Sequence, residues 1–395
     1  MELTLIEDIL VYSLLIGILI YAFFIVYPRR QVEGFLAAGA AAMSLVQARI
    51  QAELTEVRKK SPTFFTQTVS APTLPTNQSF LVNICPLTGY LGGYLGQPEK
   101  LMNAQLYLEL AFKAGIRSFV LPISTYVNKS KEPPDWPYSG DPAIVCRDTA
   151  DIIISENGLS IDDFVSALLQ NRWISGFGSE PIFLWLEDTI SDVDRKKINY
   201  ATFMKQIAKS LSPLDSLRLT TVGSYGSVVG GQQQQALLTQ IPLSTFNDKV
   251  IILTNFDTSQ DKDLSLASYA NFLYSSPNSP VRTVGMEELP GTTVDFRTNA
   301  RINWYTVTSK TPLSPASAAS VQGALANGLQ CIPIPFLSVP MSDIKDTWSL
   351  WNGASYKLKP EAARYTQPDP VVPAKVSTKL NASIQGKEPG NLAVN

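Results

Sequence analysis

The side chains that do most hydrolytic chemistry are scarce in this sequence. Its 395 residues include no histidine. That removes the commonest acid/base group near neutral pH and the commonest metal ligand. Ser–His–Asp and Cys–His nucleophile systems are therefore excluded. A zinc site would have to be built from thiols and carboxylates alone. The three cysteines, Cys85, Cys146 and Cys331, lie far apart and form no CxxC pair. They read as single buried thiols in a reducing compartment. The glycine-rich run VGSYGSVVGGQQQQ at 222–235 has no lysine at P-loop spacing, so it is expected to be a loop insertion or lid and not a phosphate cradle. Lys and Arg number 32 against 34 Asp and Glu. A net charge of −2 gives no field that would recruit nucleic acid, and no nucleic-acid motif is present, so no such partner is expected.

The elements that would position a site alternate along the body of the chain. Apolar runs at 80–84, 118–123, 143–146, 181–186 and 249–254 read as strands. Between them, 101–114 reads as an amphipathic helix stopped by Gly115. Ser160 caps a helix through Leu169, and 192–211 reads as one long helix. Continuous apolar strands alternating with helices imply a parallel sheet covered by helices. Roughly eight such units over some 300 residues predict an α/β fold of the closed (β/α)8 TIM-barrel type.

The N-terminus predicts a membrane anchor. Residues 9–27, ILVYSLLIGILIYAFFIVY, carry no charge. At ~1.5 Å per residue they span a ~30 Å hydrocarbon layer. Acidic Glu2, Glu7 and Asp8 precede the run, and Arg29 and Arg30 follow it. This is the reverse of a cleaved signal peptide. Arginines on the C-terminal side predict a single-pass protein whose barrel faces the cytosol. The expected organisation is an anchor at 1–30, a helical stalk and Pro/Ser/Thr linker at 31–79, a barrel at 80–365 with an insertion at about 220–243, and a Pro-rich tail at 366–395. The helical stretch at 33–60 has its role open: a stalk, a helix lying against the membrane or a partner, or a helix packed on the end of the barrel.

In order along the chain, several segments resemble the X and Y halves of the phosphoinositide-specific phospholipases C, over roughly 80–365. They are LGGYLGQPEKLMNAQLYLELAFKAGIRSFVLPI (91–123), PAIVCR (142–147), EPIFLWLEDT (180–189) and FNDKVIILTN (246–255) in the first half. RINWYTVTSK (301–310), ALANGLQCIPIPF (324–336) and NGASYKLKPEAAR (352–364) follow in the second. The last run, with Tyr356, Lys359, Pro360 and Arg364, is the most specific single piece.

The resemblance implies a reaction that this chain is not equipped for. The family uses two histidines, one to deprotonate the inositol 2-hydroxyl and one to protonate the leaving oxygen, with calcium held by oxygen ligands. Leu91 stands at the first histidine and Gly92 at the adjacent asparagine. Val120 and Pro122 stand at two acidic ligands, and Cys146 at the second histidine. Glu187 alone keeps a ligand-type side chain. Lys249, Lys359 and Arg364 stand where the family has basic residues near its site, and are the candidates for surviving anion binding. The expectation is a pseudoenzyme with no metal and no cofactor. It would be a membrane-anchored structural protein, held to lipid by residues 9–27 and to protein partners by its barrel and tail. A minor capsid component linking an internal membrane to the shell of a large DNA virus is the specific expectation. The alternatives are an inositol-phosphate or phospholipid sensor and, more remotely, an active phosphodiesterase.

Overall fold

Three of the apolar runs form strands that bury both faces, and the two faces enter different cores. The computed structural model describes residues 27–62, 74–96, 100–126, 140–148, 150, 152–172, 180–219, 228–229, 232–233, 238–239, 241–260, 265–274, 279–286, 294–308 and 313–368. Strands β3 (Ser118–Thr125), β6 (Ile182–Asp188) and β9 (Val250–Thr254) lie parallel and adjacent. Side chains alternate across a strand. Phe119, Leu121, Leu184, Leu186, Val250 and Ile252 therefore join one core, beneath the helices. Val120, Phe183, Trp185, Ile251 and Leu253 join the other, on the concave side of the sheet. A run that is apolar at every position is what a strand between two cores requires.

The sheet continues in both directions. On one side, β9 pairs with β10 (Phe272–Leu273). On the other, β3 pairs with β2 (Thr88–Tyr90), and β2 with β13 (Pro333–Ile334). Strands β11 (Val281–Gly285) and β12 (Trp304–Thr308) form a parallel pair. A parallel bridge between Thr306 and Cys331 joins that pair to the chain entering β13. The predicted closed barrel is corrected here: among the described residues no hydrogen bonds join β10 to β11. Only two residues of β10 are in strand geometry, and the following segment carries Pro277 and Pro280, which have no N–H to donate to a ladder. The concave core bridges the open seam with rings. Trp185 packs on Tyr274 at 5.5 Å and on Trp304 at 5.8 Å, and Phe183 meets Trp304 edge-on at 4.9 Å.

Two strand predictions also change. Residues 80–84 do not form the first strand of the sheet. Residues Leu81–Asn83 form a turn of 3-10 helix, and β1 (Ile84–Pro86) pairs antiparallel with β14 (Tyr356–Leu358). The reason is the side chain of Asn83, which donates to the Gln78 and Tyr365 carbonyls and accepts from the Tyr365 N–H, tying this segment to the end of the domain. The run at 143–146 gives β4 (Pro142–Ile144), antiparallel to β3 and so a flap beside the sheet.

The helices begin where short polar side chains can cap them. Asn103 accepts from the Leu106 N–H to start α2 (Ala104–Lys113), and Gly115 leaves it at φ +89°. Ser160 accepts from the Asp163 N–H to start α3 (Ile161–Asn171). The predicted long helix at 192–211 is divided: a single turn over Asp192–Arg195 ends before Asn199, which caps α4 (Tyr200–Leu211) through the Thr202 N–H. Of the insertion at 220–243, little more is described than a hairpin of Val228–Val229 with Gln232–Gln233.

The helix α1 (Tyr27–Lys60) precedes all of this. At 34 residues and 1.5 Å each it is ~50 Å long. Its last part is docked on the domain. Val46, Ile50, Leu54 and Val57, at helical spacing, are buried in the outer core. Arg49 donates to the Leu95 carbonyl at 2.6 Å, and the Glu53 carboxylate accepts from the Met341 N–H at 3.2 Å, at the start of α7 (Met341–Ser349). Of the roles left open for 33–60, residues 46–57 show packing on the domain. The apolar run at 9–26 and the tail from 369 lie outside the described residues, and among the described residues no helix is long and apolar enough to cross a membrane. Leu54→Ala removes a side chain that is 3% exposed and should cost ~2–4 kcal/mol. Chemical denaturation of the variant checks this; a loss below ~0.5 kcal/mol would show the helix to be dispensable packing.

Candidate functional site

The C-terminal ends of the parallel strands surround a cavity of about 70 Å3. Its lining brings rings from three strands or their ends, Tyr90, Trp185 and Tyr274, together with Met286, the hydroxyl side chains Thr306, Thr308 and Ser314, and the carboxylate of Glu187. The register explains the grouping. Tyr90 lies beside Val120, and Val120 beside Trp185; two residues on, Pro122 lies beside Glu187. Trp185 and Glu187 share a strand face, so the ring forms the floor and the carboxylate stands above it. The indole N–H is already used, donating to Ser118 Oγ at 3.0 Å.

Glu187 and its neighbour Asp188 occupy opposite electrostatic situations. Asp188 faces the helices and is fully engaged. It accepts from Arg195 at 2.8 Å, from the Tyr200 hydroxyl at 2.5 Å and from the Ile190 N–H at 3.1 Å. Glu187 interacts with the Tyr90 hydroxyl, but its Oε2 is buried without a hydrogen-bond partner. Burial pushes its carboxyl up to about 7, only partly offset by the Tyr90 hydrogen bond, with Asp188 adding to the rise. Burial, with the Glu187 charge next to it, also holds the Tyr90 hydroxyl well above the ordinary phenol range.

The six positions singled out by the resemblance all fall near this end of the sheet, but only Val120 and Glu187 line the cavity. Leu91 is buried in the outer core at φ +58°. A Cβ on Gly92 would meet Leu121 at 2.6 Å and the Phe164 ring at 3.0 Å, also on the helix side. Pro122 sits in β3, its carbonyl accepting from the Val145 N–H. Cys146 is buried outside the cavity; burial raises its thiol to about 12, against a hydrogen bond with the Tyr94 hydroxyl. That thiol has no route to a thiolate nucleophile.

The basic candidates lie at the other end of the strands. Lys249 precedes β9 and lines a shallow recess with Arg117, Arg172, Glu180 and Asp248, where Arg117 pairs with Glu180 at 3.1 Å. Lys359 is fully buried, its ammonium donating to the Ala300 carbonyl, and burial lowers it to about 7. Arg364 donates to the Lys359 carbonyl at 2.6 Å. Lys359 and Arg364 are thus together, Lys249 is apart, and none lines the cavity.

The calcium ion implied by the resemblance does not fit this donor set. Calcium takes roughly six to eight oxygens. Glu187 is the one carboxylate lining the cavity among the described residues, and Pro122, its neighbour on β3, offers no side-chain oxygen. Nowhere among the described residues do three or more Cys, Asp or Glu gather in a group that could hold a metal. Of the cavity lining only Val120 and Glu187 were anticipated from the sequence; the signal for Tyr90 and Tyr274 would have been a neighbouring strand, and neither β2 nor β10 is long enough to announce itself.

No family model matches the sequence, and no curated protein matches it. Solved phospholipase C structures are similar to this chain. The crystal structures of S. officinalis PLC21 and L. pealei PLC21 align over 73% of it, at 13% and 15% identity and a TM-score of 0.49 in each case. The chain spans 38% of the length of each of those two proteins. A Ca2+-dependent phosphatidylinositol-specific phospholipase C from Streptomyces antibioticus aligns over 68% of this chain and 98% of its own, at 13% identity and a TM-score of 0.41.

Glu187 makes a testable contribution to stability. Its folded-state pKa of about 7 lies above the unfolded value of ~4.3, so the folded state holds the extra proton between the two. Stability should fall as pH rises from ~4.3 through 7, by up to ~4 kcal/mol. Glu187→Gln should therefore gain ~2–3 kcal/mol at pH 8 and much less at pH 5. Denaturation curves at the two pH values check this; an equal effect at both would mean that the carboxylate is solvated.

Proposed function

We propose that this protein is a non-catalytic, phospholipase C-like domain that serves as a membrane-anchored structural protein. The observation that carries the reading is the chemistry of the strand ends. The chain has no histidine, its cavity presents one orphaned carboxylate, and the nearby Cys146 thiol is raised to about 12. General acid and base contributions are each worth ~10²–10⁴ in rate, and a phosphodiesterase of this type needs both together with an offset for the phosphate charge. Glu187 would add negative charge where a phosphate would have to sit.

The anchoring half of the proposal rests on the apolar run at 9–27 and on α1. The docked segment of that helix is continuous with residue 27. A domain fixed to such a helix is held at a set orientation to whatever retains the preceding apolar run. Partners would then meet the domain surface and the Pro-rich tail. The setting we propose is a large assembly in which a shell overlies a membrane, with this chain as a minor linking component. The inositol-phosphate alternative has less support, since Lys249, Lys359 and Arg364 are at the opposite end of the strands from the cavity.

Two measurements test the two halves separately. The purified chain, offered phosphatidylinositol with calcium or with chelator, should release no inositol phosphate above a heat-killed control. Turnover in either condition would overturn the non-catalytic reading. Removal of residues 1–30 should move the protein from carbonate-washed membranes to the soluble fraction. Retention of the shortened chain would end the anchor reading while leaving the first result untouched.

A further inference from the structure

We propose that the cavity at the C-terminal strand ends is a binding site for a small organic cation, an alkylammonium head held between Glu187 and the rings of Tyr90, Trp185 and Tyr274.

The argument begins with what the cavity leaves unsatisfied. Glu187 Oε2 is buried and has no hydrogen-bond partner, whereas its neighbour Asp188 has three. A buried carboxylate oxygen without a donor is costly, and a ligand that supplies positive charge offsets that cost. The walls fit a cation better than an anion. No Lys or Arg lines the cavity, so its formal charge comes from Glu187 alone among the described residues. Tyr90, Trp185 and Tyr274 add aromatic rings to the lining, and Met286 adds a polarisable thioether. Trp is the strongest cation–π partner, and these interactions strengthen with desolvation.

The choice of an organic over a metal cation follows from the ligand set. A hard metal ion demands several oxygens in a shell, and Glu187 with scattered hydroxyls does not provide one. An alkylammonium needs one counter-charge and apolar contact around its methyl or methylene groups, which Val120, Val307 and the rings supply. The volume, about 70 Å3, is several times the ~10–15 Å3 that one water occupies on this measure. A head group of a few heavy atoms fits, whereas a sugar phosphate would place its charge against Glu187. The site is distinct from the absent catalytic chemistry, and it would exist whether or not the protein is anchored.

The test uses the full chain in a neutral detergent, with choline and tetramethylammonium as probes followed by calorimetry and by thermal melting. The expected result is saturable binding near ~1 mM or tighter, which corresponds to ~4 kcal/mol. A tenfold or greater loss is expected with the uncharged choline isostere 3,3-dimethylbutan-1-ol. Glu187→Gln should lose choline binding by tenfold or more while melting cooperatively. Ser314→Arg, at an exposed position of the cavity rim, places a fixed cation at the entrance and should have the same effect without touching the core. Monomeric short-chain phosphatidylcholine separates the possible sources. Tighter binding than choline assigns a lipid head group, and equal or weaker binding assigns a free amine. No saturable binding by the folded protein, equal affinity for the neutral isostere, or undiminished binding by Glu187→Gln would each overturn the proposal.

Discussion

The concave core of aromatic rings is the constraint that everything else accommodates. Phe183, Trp185, Trp304 and Tyr274 fill the space inside the curved sheet with edge-on and tilted ring contacts of 4.9–5.8 Å. Aromatic pairs of this geometry are worth ~0.5–1.5 kcal/mol beyond their buried area. They also span the seam where β10 and β11 exchange no hydrogen bonds, so the sheet keeps its curvature without a closed ladder. Because the rings occupy the interior, the cavity above them is small, and a side chain must come from the very ends of the strands to reach it. Tyr90 and Glu187 do; Leu91, Gly92 and Cys146 belong instead to the packing beneath the helices.

How far the sequence disclosed this structure depended on which force placed each element. The strands at 118–123, 181–186 and 249–254 were legible because burial on both faces leaves an uninterrupted apolar run. Caps were legible where a side-chain oxygen meets an N–H three residues on, as at Ser160. The misplacement of the first strand had a long-range cause. Asn83 is tied to Tyr365, 282 residues away, and no local pattern records that bond. The antiparallel direction of 142–144 and the open seam are likewise decided by pairing between strands, which apolarity alone does not encode. At the site, Glu187 was legible as a residue type at a position, but the rings around it were not, since Tyr90 ends a strand of three residues and Tyr274 follows one of two.

The two ends of the sheet handle buried charge in different ways. At the N-terminal end, Arg117 is 2% exposed yet pairs with Glu180 and donates to the Phe112 and Ile116 carbonyls. Lys359 is buried there too, and its ammonium finds the Ala300 carbonyl. Buried charges with partners such as these pin segments together, because removing one partner strands the other in a poorly solvating medium. That end is accordingly where β1, β14 and the chain terminus of the domain are fastened. The buried Tyr356 hydroxyl, donating to the Pro181 carbonyl, belongs to the same fastening.

At the C-terminal end the pattern reverses, and that reversal is the strongest functional signal in the molecule. Glu187 costs stability at neutral pH by its own desolvation, and the fold does not supply the donor that would remove the cost. The same strand shows that the fold can supply one, since Asp188 one residue later has an arginine, a tyrosine and a backbone N–H. A structural carboxylate gains nothing from being left unpartnered beside three rings and a cavity of about 70 Å3. An open carboxylate in such a place is a binding element, because the free energy withheld in the empty cavity is recovered when a complementary charge enters. The absence of acid/base groups separates that binding from turnover. The chain thus has a pocket at the strand ends and no histidine to serve it as an acid or base.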